Sequence, residues 1–141
     1  MTTKTWQIKE VAEQLRIHPQ TLYYYERIGL LPPPQRTPGG YRQFTEVDIE
    51  RLQFIQRAKA LGFRLKEIRQ LLDLREQRTF TCWAVYEQLQ QKIAAIEVQM
   101  LELQALKQEL ETLLQECHSR LATGMTDQTC TLLEESAPSS P

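Results

Sequence analysis

Three side chains in this 141-residue chain carry sulfur that could bind a soft ion or act as a nucleophile: Cys82, Cys117 and Cys130. An odd number at wide spacing makes no disulfide framework, and a reducing cytosol keeps such thiols free. Three thiolates suit mercury(II), and also lead(II), cadmium(II) or zinc(II), although zinc ordinarily asks for a fourth ligand. The competing reading is three small, inert, buried residues, since free cysteine is often buried. Cys130 fits that reading least, because it follows the polar, glycine-containing stretch 122–129. His118 adjoins Cys117, but neighbouring helical side chains point about 100° apart, which reads as a surface histidine. The two histidines, with no Ser/His/Asp set and no glycine-rich phosphate loop, argue against an enzyme.

The spacing of the cysteines defines the element that carries them. Leu89, Ile96, Leu103 and Leu110 recur every seven residues, and Cys82 and Cys117 extend the column at either end. Ile93, Met100 and Leu114 lie four residues after members of that column, while Lys107 interrupts this second row beside Leu106. This pattern predicts one long helix over 82–120 with a coiled-coil seam. A lone helix with an apolar stripe is marginal in water, so a second copy of the chain is the simplest partner. Cys82 and Cys117 are 35 residues apart, about 52 Å at 1.5 Å per residue, and cannot share an ion within one chain. A parallel pair would bring each cysteine to its own copy. An antiparallel pair would gather Cys117 and Cys130 of one chain with Cys82 of the other.

The front of the chain has a different character. Residues 1–80 carry 14 Lys+Arg against 9 Asp+Glu, and residues 81–141 carry 3 against 9. A front half at +5 on a back half at −6 suggests that the front meets a polyanion. Ile8, Val11, Ala12 and Leu15 form one helical face. His18-Pro19 breaks it, and Pro19 suits the first turn of a second helix over 20–28, closed by Gly29. Two short helices across a tight break predict a helix-turn-helix. Pro38-Gly39-Gly40 is the turn of a predicted hairpin flanked by Arg36 and Arg42. A third helix opens at Thr45 with Asp48 as capping partner and stops at Gly62. A fourth covers 65–74 with Ile68, Leu71 and Leu72 inward. No run of apolar residues is long enough to cross a membrane, and the N-terminus has no signal-peptide core, so a cytoplasmic location is expected.

The segment Thr21 to Leu31 (TLYYYERIGLL), then Gly39-Gly40-Tyr41-Arg42, Leu61-Gly62-Phe63 and Glu67-Ile68, resembles the MerR family over residues 6–75. The resemblance implies a mainly α fold: a winged helix-turn-helix DNA-binding domain (1–75), a long antiparallel coiled-coil dimerisation helix (82–120) and a metal-binding effector loop (117–131); the charged, polar composition of 76–81 predicts a linker, and the polar, Pro/Ser-rich end predicts a disordered tail (132–141). It implies a homodimer on double-stranded promoter DNA, acting with RNA polymerase and distorting the promoter when effector binds. Gln20, Thr21, Tyr24, Tyr25 and Arg27 match recognition-helix positions, and Tyr41 and Arg42 match the wing, with Arg36 beside it. Core packing is the competing role for the tyrosines. Family members usually carry arginine where this chain has Tyr23. Cys82, Cys117 and Cys130 match the mercury-sensing branch, with the partner chain supplying Cys82. Cys82 argues against the copper/silver branch, a single cysteine at 117–118 against the zinc branch, and three cysteines against an iron–sulfur cluster. Rival readings are an organic-ligand sensor, a thiol redox sensor and, from another class, a coiled-coil adaptor that binds no DNA.

Overall fold

The computed structural model describes residues 4–135. The described residues form two compact units, divided between Ala84 and Val85.

The first unit opens with β1 (Thr5–Trp6) and α1 (Ile8–Leu15). The α1 start is closed by a bond from the Gln7 N–H to Glu10 Oε1 (3.1 Å). Its end is turned by Arg16 in the left-handed region (φ 55°). Helix α2 (Pro19–Arg27) begins on Pro19, with His18 Nδ1 accepting from the Gln20 N–H at 3.1 Å. Gly29 (φ 78°) ends it, and the N–H groups of Leu30 and Leu31 both return to the Tyr25 carbonyl. These two turns fix the break between α1 and α2 and the exit toward the hairpin.

The hairpin pairs β2 (Gln35–Arg36) with β3 (Arg42–Thr45), Arg36 opposite Arg42. Its turn closes through Gly40 N–H to Thr37 O (2.8 Å), with Gly40 at φ 87°, where a side chain would be strained. Thr45 then caps α3 (Glu46–Ala60) in the expected box with Asp48. Gly62 (φ 89°) leads to α4 (Leu65–Glu76), two residues longer than the sequence pattern predicts. Leu22, Leu30, Leu31, Phe44, Leu52, Ile55, Ile68, Leu72 and Val11 are fully buried, so every helix of this unit and β3 contribute to one core.

Strand β1 was not expected. The sequence pattern begins with the helical face at Ile8 and assigns no strand before it, yet Trp6 pairs with Phe44, and Thr5 with Thr45, giving a three-stranded sheet of order β1-β3-β2. A two-residue strand carries no periodicity to detect.

Helix α5 (Cys82–Ala122) starts in the last three residues of the first unit and makes up most of the second; its N-terminus is capped by Thr81 Oγ1 accepting from the Ala84 N–H (3.2 Å). None of its residues is buried, and Leu89, Ile93, Ile96, Met100, Leu103, Leu110 and Leu114 are exposed along the predicted seam. Tyr86 and Leu121, also exposed, continue the second row at both ends. The chain leaves α5 through Gly124 (φ 90°). It then forms α6 (Leu132–Glu135), with Leu132 buried. This corrects the expectation of a disordered tail from residue 132: an apolar anchor and a carboxylate fastened to α5 hold the turn. The remainder of that tail, 136–141, lies outside the described residues. Among the described residues no helix is long and apolar enough to cross a membrane.

Candidate metal centre and nucleic-acid interface

Cys82 is the first residue of α5 and is exposed, Cys117 is half-buried near its far end, and Cys130 is exposed. All three are free thiols. Cys117 and Cys130 line one cavity of about 160 Å³, together with Arg120, Leu121, Met125, Thr126, Gln128, Thr129 and Thr131. The chain reverses after α5 because Met125 N–H bonds back to Arg120 O (3.1 Å), which turns the polar segment toward the helix it has left.

Arg120 holds the segment beyond Cys130. Its guanidinium reaches Glu116 Oε1 (3.4 Å) one helical turn back and pairs with Glu135 of α6. Thr131 Oγ1 donates to Glu135 Oε1 (2.7 Å). That bond, then the bond from Arg120, holds the Glu135 carboxyl below its ordinary value, and the Glu135 carboxylate raises Arg120. Sequence reasoning missed this arrangement. The i,i+4 spacing of Glu116 and Arg120 was visible, whereas Glu135 lay in a stretch with no pattern.

The donor set fits a soft ion in part. The cavity wall offers two thiols, the Met125 thioether, hydroxyls and an amide, but neither a carboxylate nor an imidazole. Among the described residues of one chain, no three His, Cys, Asp or Glu side chains come together as a metal cluster. His118 is exposed and not part of the cavity wall.

On the first unit, Gln20, Tyr24 and Arg27 are exposed on α2 and Thr21 is half-buried. The Arg27 guanidinium lies 5.4 Å from the Tyr24 ring centre, as i,i+3 neighbours on a helix do. In the wing, Tyr41 is exposed and Arg36 Nη1 donates to Gly40 O (2.9 Å), bracing the turn. Tyr25 corrects the expectation of a DNA contact. Its ring is 4% exposed in the core, and its hydroxyl accepts from Lys59 Nζ at 3.3 Å. The i+3 step from Leu22 places it on the inward face.

Arg42 is more constrained than a wing-tip cation. Its Nε donates to Glu26 Oε2 at 2.9 Å, and the two side chains are only 24% and 19% exposed. Its guanidinium also lies 4.6 Å from the centre of the Tyr23 ring. Beside the helix-turn-helix break, Arg16, His18, Thr21 and Lys59 share a hollow of about 320 Å³. That hollow adds cationic groups the sequence reading did not assign.

Two family models match the chain: the MerR HTH family regulatory protein over residues 6–75, and the MerR DNA-binding model over residues 49–113. An uncharacterized HTH-type transcriptional regulator of Synechocystis is 42% identical over 91% of this chain and 93% of its own length. The mercuric resistance operon regulatory protein of Bacillus cereus is 35% identical over 79% of this chain and 85% of its own. Among solved structures, the transcription regulator PbrR691 of Ralstonia metallidurans CH34, in complex with lead(II), is 37% identical. It superposes with a TM-score of 0.77 over 94% of this chain and 99% of that one. Matching models across both units, with relatives similar along nearly the whole length, establish that the chain belongs to the MerR family of helix-turn-helix regulatory proteins.

Proposed function

We propose that this protein is a homodimeric, metal-responsive transcription regulator that binds promoter DNA and takes mercury(II) at a three-thiolate site. Each site would combine Cys117 and Cys130 of one protomer with the partner's Cys82. The observation that carries this reading is the shared cavity of Cys117 and Cys130, one thiol short of a three-thiolate set, on a chain whose remaining thiol, Cys82, stands at the opposite end of the same heptad column as Cys117. An antiparallel pair of α5 helices supplies the third sulfur, and the exposed apolar stripe supports that pairing.

When bound, the ion supplies a cross-link between two protomers. The chain's own residues do the rest. Gln20, Thr21, Tyr24 and Arg27 face the major groove, while Arg36, Tyr41 and Arg42 steady the wing on phosphate. A cross-link at the ends of the dimer helices shifts the two DNA-binding units and so the path of the duplex between them. Such distortion would realign promoter elements for RNA polymerase. Lead(II) is the second reading, favoured by the solved relative in complex with that ion; cadmium(II) and zinc(II) complete the titration series.

Chain mixing tests the site. Homodimers of Cys82→Ser and of Cys117→Ser should each lose thiolate–metal absorbance while keeping DNA binding. In the mixed dimer both defects fall at one end and the other end is whole, so about half the wild-type absorbance should return. No recovery in mixed dimers, or full binding by Cys82→Ser alone, would defeat the cross-chain site.

A further inference from the structure

Tyr23 has no part in the DNA contacts proposed above, yet the groups around it give it one task. It lies three residues before Glu26 on α2, so the two side chains share a helical face. That face meets β3 at Arg42. The carboxylate of Glu26 takes Arg42 Nε at 2.9 Å, and the ring of Tyr23 lies against the guanidinium at 4.6 Å. A guanidinium offers in-plane donors and a flat face, and the two α2 side chains engage both at once. The pair is shielded, with Arg42 and Glu26 each less than a quarter exposed, which sets it above an ordinary surface ion pair.

We propose that Tyr23 is a positioning residue for DNA recognition: with Glu26 it clamps the wing arginine Arg42 onto the recognition helix, so that helix and wing meet the duplex as one rigid reader. Nε is spent on Glu26 and one face on Tyr23, which leaves the Nη groups for phosphate. Phe44 and Thr45 anchor β3 through β1 and the core, whereas Arg42 lies beyond that pairing and is matched in the sheet only by Arg36 of the two-residue β2, so the clamp acts on the outer end of the hairpin. Pre-organising the wing lowers the ordering cost of binding. The role depends on the ring face and needs no hydroxyl.

This inference rests on the proposal that α2 and the wing bind DNA, and the test separates the two. The full-length dimer selects a duplex from a random-sequence pool, and that duplex is the probe for all variants. Tyr23→Phe, which keeps the ring face, should bind within about twofold of wild type, and Tyr23→Leu should bind about fivefold more weakly. In an Arg42→Ala background the same Tyr23→Leu change should cost nothing further, since its only route to DNA is gone. A DNA-free readout accompanies these: the Arg42 side-chain proton signals should be ring-current shifted in wild type and Tyr23→Phe and unshifted in Tyr23→Leu. Losses that add in the double variant, or a Phe variant as weak as Leu, would show that Tyr23 touches DNA itself and overturn the clamp. Absence of the ring-current shift in wild type would overturn it as well. If wild type selects no duplex while the ring-current shift is present, the DNA-binding proposal fails and the clamp stands as a structural contact.

Discussion

At the scale of single residues, three consecutive tyrosines divide by helical geometry into three roles. Tyr24 is exposed beside Arg27, Tyr23 stacks on Arg42, and Tyr25 is buried with its hydroxyl held by Lys59. Removing the Tyr25 hydroxyl should therefore cost stability and spare recognition. Tyr25→Phe loses one hydrogen bond, about 1 kcal/mol, whereas Tyr25→Ala empties a core position and should cost about 3–5 kcal/mol. Urea unfolding measures both. Weakened operator binding by a fully stable Tyr25→Phe would return the hydroxyl to the DNA interface. The run Tyr23-Tyr24-Tyr25 was legible as part of a helix, but its division was not. The sequence gives no sight of Lys59, 34 residues away, or of the strand that brings Arg42 to Tyr23.

Among the elements, α6 shows most clearly what composition hides. Leu132-Leu133-Glu134-Glu135 lies between a polar loop and a Pro/Ser-rich end, and no period could form in four residues. The turn exists because Leu132 is buried and Glu135 is bonded to Thr131 and paired with Arg120. Since these bonds hold the Glu135 carboxyl below its ordinary 4.5, the fastening they provide is complete above that value and is lost as pH falls through the lowered one. Protection of the amides of residues 131–135, taken relative to the intrinsic exchange rate at each pH, should fall on acidification through that range. Glu135→Gln should show the lower protection already at neutral pH. An exchange profile indifferent to both would mean that Leu132 alone anchors the turn. The longer elements were readable from sequence for the opposite reason. The Thr45–Asp48 cap, the stop at Gly62 and the heptads of α5 each repeat a local rule that needs no distant partner. Strand β1 needs Phe44 and Thr45 to exist at all.

For the whole molecule, the 41 residues of α5 expose an apolar seam that one chain leaves uncovered. If Cys82 meets Cys117 in an antiparallel pair, Leu89 faces Leu110 and Ile96 faces Leu103, so the column closes on itself about a two-fold axis between residues 99 and 100. The same register sets Lys107 against Lys92, a weak layer on either side of the centre. Ile96→Glu places a carboxylate beside that axis in both copies and should cost several kcal/mol, turning the dimer into monomer at micromolar concentration. Light scattering after size exclusion reads the mass. An Ile96→Glu protein that stays dimeric would move the interface off this seam.

The heptad column has one more consequence. With a cysteine at each of its ends, two-fold symmetry in the proposed antiparallel dimer would make two equivalent ion sites and set them a full helix length apart, about 52 Å. Ions so separated do not sense each other's charge through water, where screening acts over about 8 Å at physiological salt. Whatever interplay a titration reveals between the two ends, whether cooperative filling or silence of the second site after the first, would be carried by strain along the helix pair. The stoichiometry of metal uptake thus becomes a gauge of how stiff that pair is.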